Sequence, residues 1–373
     1  MGGGSQRIAS LIEYARHSGA EVDLLTFSPC PASAAIRYKW EIPLPPNGRS
    51  LRARVMRNAG RFLRGVPPLI DRLAGFEAQI QRALAGQHYD AILVEHFWLA
   101  PYVDVLQKFG TRVICDLHNI ESEFFRSLTC SSGLLSGVMH TRFARLSEQL
   151  ERSLLPRYTG VLVTSEADAK CVARLAPSLN ICIFPNTIPW LEIPHLDRKR
   201  EIVFSGNMEY HPNQQAVSWF YRQIWPALRE EKDLRWRLVG MNPHAVAAIA
   251  ARDGRIEVTG AVCDAIPEIA RAQVAVVPLL SGSGTRVKIL EAWAAGTPVV
   301  STRLGAAGLP VRDGEHLLLA DTPEAFSAAV KRILQNQALA DQLRAAGRAL
   351  YERQFHREAA WRMLDASGIL GEL

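Results

Sequence analysis

Residues 282–302, GSGTRVKILEAWAAGTPVVST, combine a glycine-rich loop with two cations and a carboxylate at helical spacing. Arg286 and Lys288 fall in the first turn of a predicted helix, where free amides already carry partial positive charge and no acidic residue offsets them. A bound anion would reverse this unfavourable placement, because the amides, both cations and the side-chain-free Gly282 and Gly284 would converge on it. The stretch therefore predicts a site for a phosphorylated ligand.

Glu291 follows Lys288 by three residues. This spacing places both side chains on one face of the helix, so the carboxylate would reach a neutral hydroxyl group beside the anion, such as that of a ribose. The alternative is that Arg286 and Lys288 are solvated and that Glu291 only pairs with Lys288. The stretch alone leaves both interpretations open.

The flanking sequence predicts the elements that position this loop. The apolar run VAVVPLL precedes the loop and PVVST follows the helix, as expected of buried parallel strands. The helix should begin near Thr285, whose hydroxyl can cap the first amides, and should end at Gly296, where a left-handed residue is easily accommodated. We therefore predict a βαβ unit.

A second group of candidate residues follows a buried strand in the N-terminal half. In TRVICDLHN, residues 111–119, Asp116 and His118 come after the apolar run, and YDAILVEH at 89–96 is another predicted strand. Ligands of open α/β sheets bind at the carboxyl ends of the strands. A neutral His118 would hydrogen-bond a hydroxyl or a developing charge there, with Asp116 orienting the ring. A purely structural histidine is the alternative.

The chain alternates between strands and helices in two halves, and the proline-containing, charged segment 186–200 is the best linker candidate. We expect an α/β protein with two Rossmann-like domains facing each other across a cleft. The expected bounds are 1–190 for the N-terminal domain, 191–354 for the C-terminal domain and 355–373 for a final helix.

The N-terminal residues MGGGSQRIASLIEYARHSG predict a glycine loop that enters a helix, followed by a strand in EVDLLTF at 21–27. A doubly wound sheet needs a strand before such a loop. We therefore expect that the first strand of the N-terminal domain is missing, through truncation or a misassigned start. The alternatives are a protein that works without this strand and a flexible glycine tail.

Composition narrows the classes of function. A net charge of +6 over 373 residues favours anionic ligands or membrane surfaces over dedicated nucleic-acid binding. The six cysteines lack the spacing of a zinc site. No apolar run approaches the length of a membrane span, and the N-terminus does not resemble a signal peptide. We expect a cytoplasmic protein, soluble or peripheral to the inner face of the membrane.

Residues 49–65 contain six arginines, interleaved with apolar residues, and no acidic residue. A basic amphipathic helix of this kind would lie on an anionic membrane surface or meet a lipid-linked anion. A solvated helix face is the simpler alternative. The arginines are Arg49, Arg52, Arg54, Arg57, Arg61 and Arg64.

Four motifs, in family order, resemble the GT-B glycosyltransferases of the retaining, family-4 type. They are GGGSQR (2–7), DLHNIESEF (116–124), FSGNMEYHPN (204–213) and GSGTRVKILEAWAAGTPVVSTRLGAAGL (282–309). The resemblance covers nearly the whole chain. It implies a nucleotide-sugar held mainly on the C-terminal domain, an acceptor held mainly on the N-terminal domain, and a C-terminal helix that packs back toward the N-terminal domain.

The resemblance also implies roles for individual residues. Glu291 matches the second glutamate of the family's paired-glutamate motif and would bind the ribose hydroxyls, whereas Ser283 replaces the first glutamate. His118 matches the histidine near the reacting sugar carbon. The family's usual Arg and Lys are absent from FSGNMEYHPN, so we expect Arg286 and Lys288 to hold the diphosphate. The expected catalytic residues are thus His118, Arg286 and Lys288, and the expected residues that bind the sugar donor are Gly3, Gly4, Gly206, Gly282, Ser283, Gly284, Thr285 and Glu291.

These residues predict a mechanism. Breaking the bond between a sugar and a nucleoside diphosphate builds negative charge on the leaving phosphate, which cations and helix amides stabilise. Because no Asp-x-Asp motif is present, we expect hexosyl transfer without metal or cofactor, from a nucleotide-diphosphate sugar to a glycan or lipid-linked acceptor. Retention is implied by the resemblance alone. The alternatives are a nucleotide-sugar epimerase or hydrolase and a non-catalytic remnant that binds nucleotide-sugars.

Overall fold

The computed structural model describes residues 3–28, 36–45, 56–57, 60–61, 63–129, 134–193, 196–282 and 287–371. The chain forms two compact units. We call the unit of Arg7–Phe184 and Trp361–Leu373 the N-terminal domain, and the unit of Pro185–Ala360, which also takes in Met1–Gln6, the C-terminal domain. Among the described residues, no helix has both the length and the apolar character that crossing a membrane requires.

The N-terminal domain contains a parallel four-stranded sheet in the order β3-β4-β5-β6. A parallel pair, β1 with β2, lies outside it. Strands β4 and β5 are largely buried, as in sheets covered on both faces. In chain order the elements are α1 Gly3–His17, β1 Leu24–Thr26, β2 Lys39–Glu41, α2 Pro68–Arg72, α3 Glu77–Ala83, β3 Tyr89–Glu95, a 3₁₀ helix Phe97–Tyr102, α4 Val103–Leu106, β4 Gly110–Leu117, α5 Glu121–Thr129, α6 Leu134–Leu154, a 3₁₀ turn Leu155–Arg157, β5 Gly160–Val163, α7 Glu166–Leu175 and β6 Asn180–Ile183.

The C-terminal domain contains a parallel six-stranded sheet in the order β12-β11-β10-β7-β8-β9. The strand order reverses between β7 and β10, so the carboxyl ends of these two strands form the topological switch point where open sheets bind ligands. The elements are β7 Lys199–Ser205, α8 His211–Trp219, a π-helical turn Phe220–Ile224, α9 Trp225–Leu228, β8 Arg235–Val239, a 3₁₀ turn Pro243–Ala245, α10 Ala247–Ala250, β9 Ile256–Gly260, α11 Ile266–Ala270, β10 Ala272–Val277, α12 Val287–Ala294, β11 Val299–Ser301, β12 Leu318–Leu319, α13 Pro323–Gln335, α14 Gln337–Gln354 and α15 Arg357–Ser367.

The predicted βαβ unit is confirmed as β10, α12 and β11. The two strands pair in parallel, with Ala275 opposite Val299. Helix α12 buries its apolar face and is followed by Gly296 in the left-handed region, at φ +63°. Trp293 of α12 packs so tightly on α14 that a Cβ atom on Gly347 would fall 2.4 Å from the indole. This packing fixes the helix that carries Lys288 and Glu291.

One other expectation, that of a glycine loop at Gly3 and Gly4, needs correction. Helix α1 begins at Gly3, so Gly3 and Gly4 form its first turn and are not part of a loop. The last part of α15 packs within the N-terminal domain, where the Trp361 indole donates a 3.2 Å hydrogen bond to the carbonyl of Ser10.

Candidate active site

A buried ion pair between Arg7 of α1 and Asp116 of β4 organises the N-terminal candidate site. The Nε atom of Arg7 lies 2.9 and 2.7 Å from the two carboxylate oxygens, and neither side chain is exposed. The same guanidinium donates to the carbonyl of Phe184 and lies 4.8 Å from the centroid of the Phe184 ring. Burial opposes ionisation of Asp116, but Arg7 outweighs it and holds the pKa well below its ordinary value. Asp116 is therefore a fixed negative charge.

His118 lies between two carboxylates at the carboxyl ends of β3 and β4. Its Nε2 atom is 2.8 Å from Glu95 Oε2 and 3.4 Å from Asp116 Oδ2. Burial alone would lower the pKa of His118, but the bonds to Asp116 and Glu95 raise it above its ordinary value. The sequence suggested Asp116 as the residue that orients the ring, whereas the nearer partner in the structure is Glu95.

The pKa of Glu95 is also strongly shifted. Burial and the charge of Asp116 raise the pKa of Glu95 to about 7, although His118 and Arg7 act in the opposite direction. When two titratable groups interact this strongly, protons belong to the pair and not to either residue. Glu95 and His118 therefore share a proton near neutral pH.

His96 and Trp98 form one wall of this site. The His96 ring lies with its centroid 3.7 Å from that of His118 and stacks on Trp98 at 4.2 Å. Burial and the nearby His118 lower the pKa of His96 to about 3, so its ring is neutral. His96 also has φ +71°, which is uncommon for a residue other than glycine. Strain of this kind clusters at functional sites.

Glu95, Asp116 and His118 also offer three ligand atoms within 4.8 Å of one another. The guanidinium of Arg7 already contacts both oxygens of Asp116. A divalent cation there would face a fixed positive charge across the same carboxylate. The side chains present therefore fit the sharing of a proton better than the binding of a metal ion.

An apolar cavity of about 220 Å³ lies beside Trp98. One carboxyl group, that of Glu121, is in its wall and accepts a 2.8 Å hydrogen bond from the Trp98 indole. Burial raises the pKa of Glu121 to about 7 despite this bond. The cavity is thus suited to an apolar group. Trp98 in its wall stacks on His96, and the His96 ring lies against that of His118. Its lining comprises residues 67–70, Trp98, Glu121, Phe124 and Phe125.

The C-terminal candidate site lies at the switch point of the six-stranded sheet. Ser205, the last residue of β7, donates a hydrogen bond of 3.2 Å to Glu291 Oε2. Burial raises the pKa of Glu291, and the charge of Lys288 opposes this rise. Lys288 extends over β7, with Nζ 5.0 Å from the centroid of the Phe204 ring. A carboxylate and a cation thus meet where β7 ends.

Gly206 makes the approach of Lys288 to β7 sterically feasible. It has φ +145°, and a Cβ atom at this position would lie 2.3 Å from Nζ of Lys288. Neighbouring side chains hold the turn in place. The Asn213 amide donates to the carbonyl of Asn207 at 2.7 Å, and the Asn242 amide donates to the Asn207 side chain at 2.9 Å. The loops after β7 and β8 therefore form one hydrogen-bonded unit.

Some of the residues predicted from the sequence lie in one of the two candidate sites, and others lie outside the described residues. Gly206, Lys288 and Glu291 lie around the switch point of the C-terminal domain, Gly282 belongs to the same domain, and His118 lies in the N-terminal cluster. Ser283, Gly284, Thr285 and Arg286 lie outside the described residues, so their roles stay predictions. Arg49, Arg52 and Arg54 also lie outside them. Of the remaining arginines in that stretch, Arg61 and Arg64 both pair with Asp71.

Arg7, Glu95 and His96 are site residues that sequence reasoning missed. Glu95 and His96 are polar residues at the end of a predicted strand, a position that indicates a site at the sheet edge. The sequence does not show which of them faces His118. Arg7 is quoted within GGGSQR, but its partner is 109 residues away and left no local signal.

Two family models match the chain, and together they include most of its residues and both candidate sites. The model described as "Glycosyl transferase 4-like domain" matches residues 2–187, and "Glycosyl transferases group 1" matches residues 199–336. The chain belongs to the group 1 glycosyltransferases of the GT-B fold. The expectation of two Rossmann-like domains is thereby confirmed.

Two curated relatives of this group 1 chain are named as glycosyltransferases. It is 36% identical over 120 residues to "Lipopolysaccharide core biosynthesis glycosyltransferase LpsE" of Rhizobium meliloti, over 32% of this chain and 35% of that one. It is 26% identical over 316 residues to "D-inositol 3-phosphate glycosyltransferase" of a Nocardioides species, over 73% of this chain and 66% of that one. The chain thus matches about a third of the first relative's length and just under two thirds of the second's.

Solved structures support the fold. Sucrose-phosphate synthase from Thermosynechococcus elongatus aligns with a TM-score of 0.73 and 19% identity, over 96% of this chain and 91% of that one. Anabaena HepE, in complex with UDP and glucose, aligns with a TM-score of 0.68 and 14% identity, over 98% and 95% of the two chains. At this level of identity the likeness establishes the fold alone.

We predict that replacing Arg7 by methionine lowers the free energy of unfolding by about 3–5 kcal/mol, because Asp116 is left as a buried unpaired charge. Arg152→Met is the matched control, since Arg152 forms an exposed helical pair with Glu148 and should cost about 0.5 kcal/mol or less. Urea titration followed by circular dichroism measures both. Adding Asp116→Asn should restore much of the loss, and equal costs for the two single variants would contradict the prediction.

Proposed function

We propose that this chain transfers a hexosyl group from a nucleoside-diphosphate sugar to an acceptor hydroxyl, with retention and without a metal ion. The observation that carries this proposal is the convergence of Lys288, Glu291 and Gly206 at the switch point between β7 and β10. A cation, a half-buried carboxylate and a bare backbone at that place suit a phosphate next to a ribose.

The sugar donor would be held in the C-terminal domain. Lys288, with Arg286 beside it in the sequence, would bind the diphosphate, and Glu291 would accept hydrogen bonds from the ribose hydroxyls. UDP is the first nucleotide to test, because the related Anabaena structure contains UDP and glucose and a TarM structure contains UDP. Ser283, Gly284, Thr285, Gly3 and Gly4 remain proposed contacts of the donor.

The acceptor would be held in the N-terminal domain, with its hydroxyl near His118. The apolar cavity beside Trp98 would take an apolar part of the acceptor. This favours a glycolipid or another lipid-linked acceptor over a free sugar. The relatives named for lipopolysaccharide core and inositol phosphate glycosylation support glycan or glycolipid biosynthesis as the setting.

Sugar transfer would depend on stabilising the negative charge of the leaving diphosphate. As the bond from the sugar carbon to the phosphate oxygen breaks, negative charge grows on the diphosphate, and Lys288 and Arg286 would stabilise it. The acceptor oxygen would bond to the same face of the sugar, and its proton would pass to the departing phosphate oxygen. His118 would hydrogen-bond the substrate beside the reacting carbon.

The products of the reaction test whether the protein is a glycosyltransferase. We expect UDP-glucose with octyl glucoside to yield UDP and a disaccharide glycoside with the anomeric configuration of the sugar donor, detected by mass spectrometry and NMR. His118→Ala should reduce turnover by about 100-fold or more, whereas His88→Ala, at an exposed histidine of the same domain, should not. If no product forms, the assay is repeated with nucleotide-sugars chosen by thermal stabilisation.

Other products would favour the competing functions. Release of free glucose alone would indicate a hydrolase, and an altered sugar still attached to the nucleotide would indicate an epimerase. Binding without turnover of any nucleotide-sugar that stabilises the protein would indicate a non-catalytic remnant.

Nucleotide binding tests the donor site separately. Lys288→Ala should weaken UDP binding by about 1.5–3 kcal/mol, as for the loss of a charged hydrogen bond, whereas Lys232→Ala, at an exposed lysine of the same domain, should leave it unchanged. Glu291→Ala should abolish the preference for UDP over 2′-deoxy-UDP. Calorimetry measures all of these affinities, and an unchanged affinity in Lys288→Ala would rule out the proposed contact.

Peripheral contact with the anionic inner face of a membrane is a further part of the proposal. Met56 and Leu63 are 65% and 80% exposed in the basic stretch, next to Arg57 and Arg64. The chain should pellet with phosphatidylglycerol vesicles at low salt and should do so less at high salt, because exposed charges are screened. Equal pelleting with phosphatidylcholine vesicles, or none with either lipid, would instead support a solvated helix face.

A further inference from the structure

The register of the N-terminal sheet brings Glu95 and His118 together. Glu95, the last residue of β3, pairs directly with Asp116 of β4, so the two side chains lie on the same face of the sheet. His118 is two residues beyond Asp116, which returns its side chain to that face. The backbone thus places two carboxylates and one imidazole side by side.

The two carboxylates have different roles because only one of them is neutralised by a cation. Asp116 is fully buried and bonded to Arg7 through both oxygens. The Glu95 side chain is 23% exposed, and its Oε2 atom lies 2.8 Å from Nε2 of His118. Glu95 can therefore exchange a proton with solvent, whereas Asp116 stays ionised.

We propose that Glu95 is a positioning residue: it holds Nε2 of His118, so that Nδ1 is the nitrogen offered to an oxygen of the reacting sugar or acceptor. This inference rests on the proposed function for its catalytic consequence. The bond itself is independent of that function.

The loss of one proton from the pair of Glu95 and His118 then decides whether Nδ1 of His118 donates or accepts a hydrogen bond. With the extra proton present, either His118 is an imidazolium beside ionised Glu95, or neutral Glu95 donates to Nε2; in both forms Nδ1 carries a proton and donates. After that proton is lost, Nε2 donates to Glu95 and Nδ1 becomes an acceptor. Among the described residues, the other charged or titratable groups near this face are ionised Asp116, Arg7, neutral His96 and, bonded to the Trp98 indole, Glu121.

The sign of the pH dependence follows from the raised pKa values of both members, about 7 for Glu95 and above the ordinary value for His118. The pair keeps its proton at mildly acidic pH and loses it as the pH rises through the apparent pKa of the pair. Nδ1 is then a hydrogen-bond donor below the apparent pKa of the pair and an acceptor above it.

The test is an NMR titration of the full chain with ¹⁵N-labelled histidine. In the wild type we expect His118 to titrate above its ordinary range, with its single proton on Nε2 at high pH. Glu95→Gln should lower the apparent pKa of His118 by about 1 unit or more, and Glu95→Asp should restore part of the shift. Asp90→Asn, which removes an exposed carboxylate from the same strand, is the matched control and should change nothing.

The transfer assay adds a second readout. Glu95→Gln should lower kcat about tenfold at neutral pH with little change in KM for UDP-glucose, and its pH profile should move with the His118 titration. An unchanged His118 titration in Glu95→Gln would overturn the inference, and so would a shifted titration with an unchanged kcat and pH profile. If the wild type transfers no sugar, the proposed function fails, and the NMR titration still decides whether Glu95 controls His118. Should Glu95→Gln not fold, Glu95→Asp provides the comparison.

Discussion

The buried bond between Arg7 and Asp116 is the interaction on which the N-terminal site depends. A carboxylate with no exposure is stable only when its charge is compensated, and Arg7 provides this while also binding the carbonyl of Phe184. Helix α1, strand β4 and the end of β6 are thereby joined at one point. Because Asp116 cannot take up a proton easily, a proton exchanged among these three side chains belongs to Glu95 and His118.

Much of the fold was predictable because buried parallel strands are continuous apolar runs. The predicted strands at 89–96 and 111–119 correspond to β3 and β4, and the βαβ unit around residue 290 formed as expected. The short pieces α2, α3 and the 3₁₀ helix Phe97–Tyr102 have no such periodicity. Their apolar residues pack against distant parts of the chain, a constraint that local sequence does not contain.

The sequence predicted which strand ends and helix faces carry the residues of the candidate sites. It did not predict which side chains contact each other. His118 and Glu291 were identified because their spacing places them at a sheet edge or on a helix face. Glu95 was missed as the partner of His118 because the pairing depends on the register between β3 and β4, and a shift of one residue would have presented His96 instead. Similarly, glycine at 206 is favoured by a φ of +145° and by the approach of Lys288, 82 positions later in the chain, and neither can be read from the local sequence.

The replacement of the motif's first glutamate by Ser283 is compatible with the proposed sugar-donor site. Burial raises the pKa of Glu291 and the positive charge of Lys288 lowers it, so the ionisation of this carboxylate depends on the lysine. Glutamate in place of Ser283 would add a negative charge to the segment of sequence that supplies Lys288, the residue proposed to hold the diphosphate. With serine at 283, residues 282–291 carry two cations and one carboxylate. The remaining positive charge favours a diphosphate, so this substitution gives no reason to infer a site that has lost its ligand.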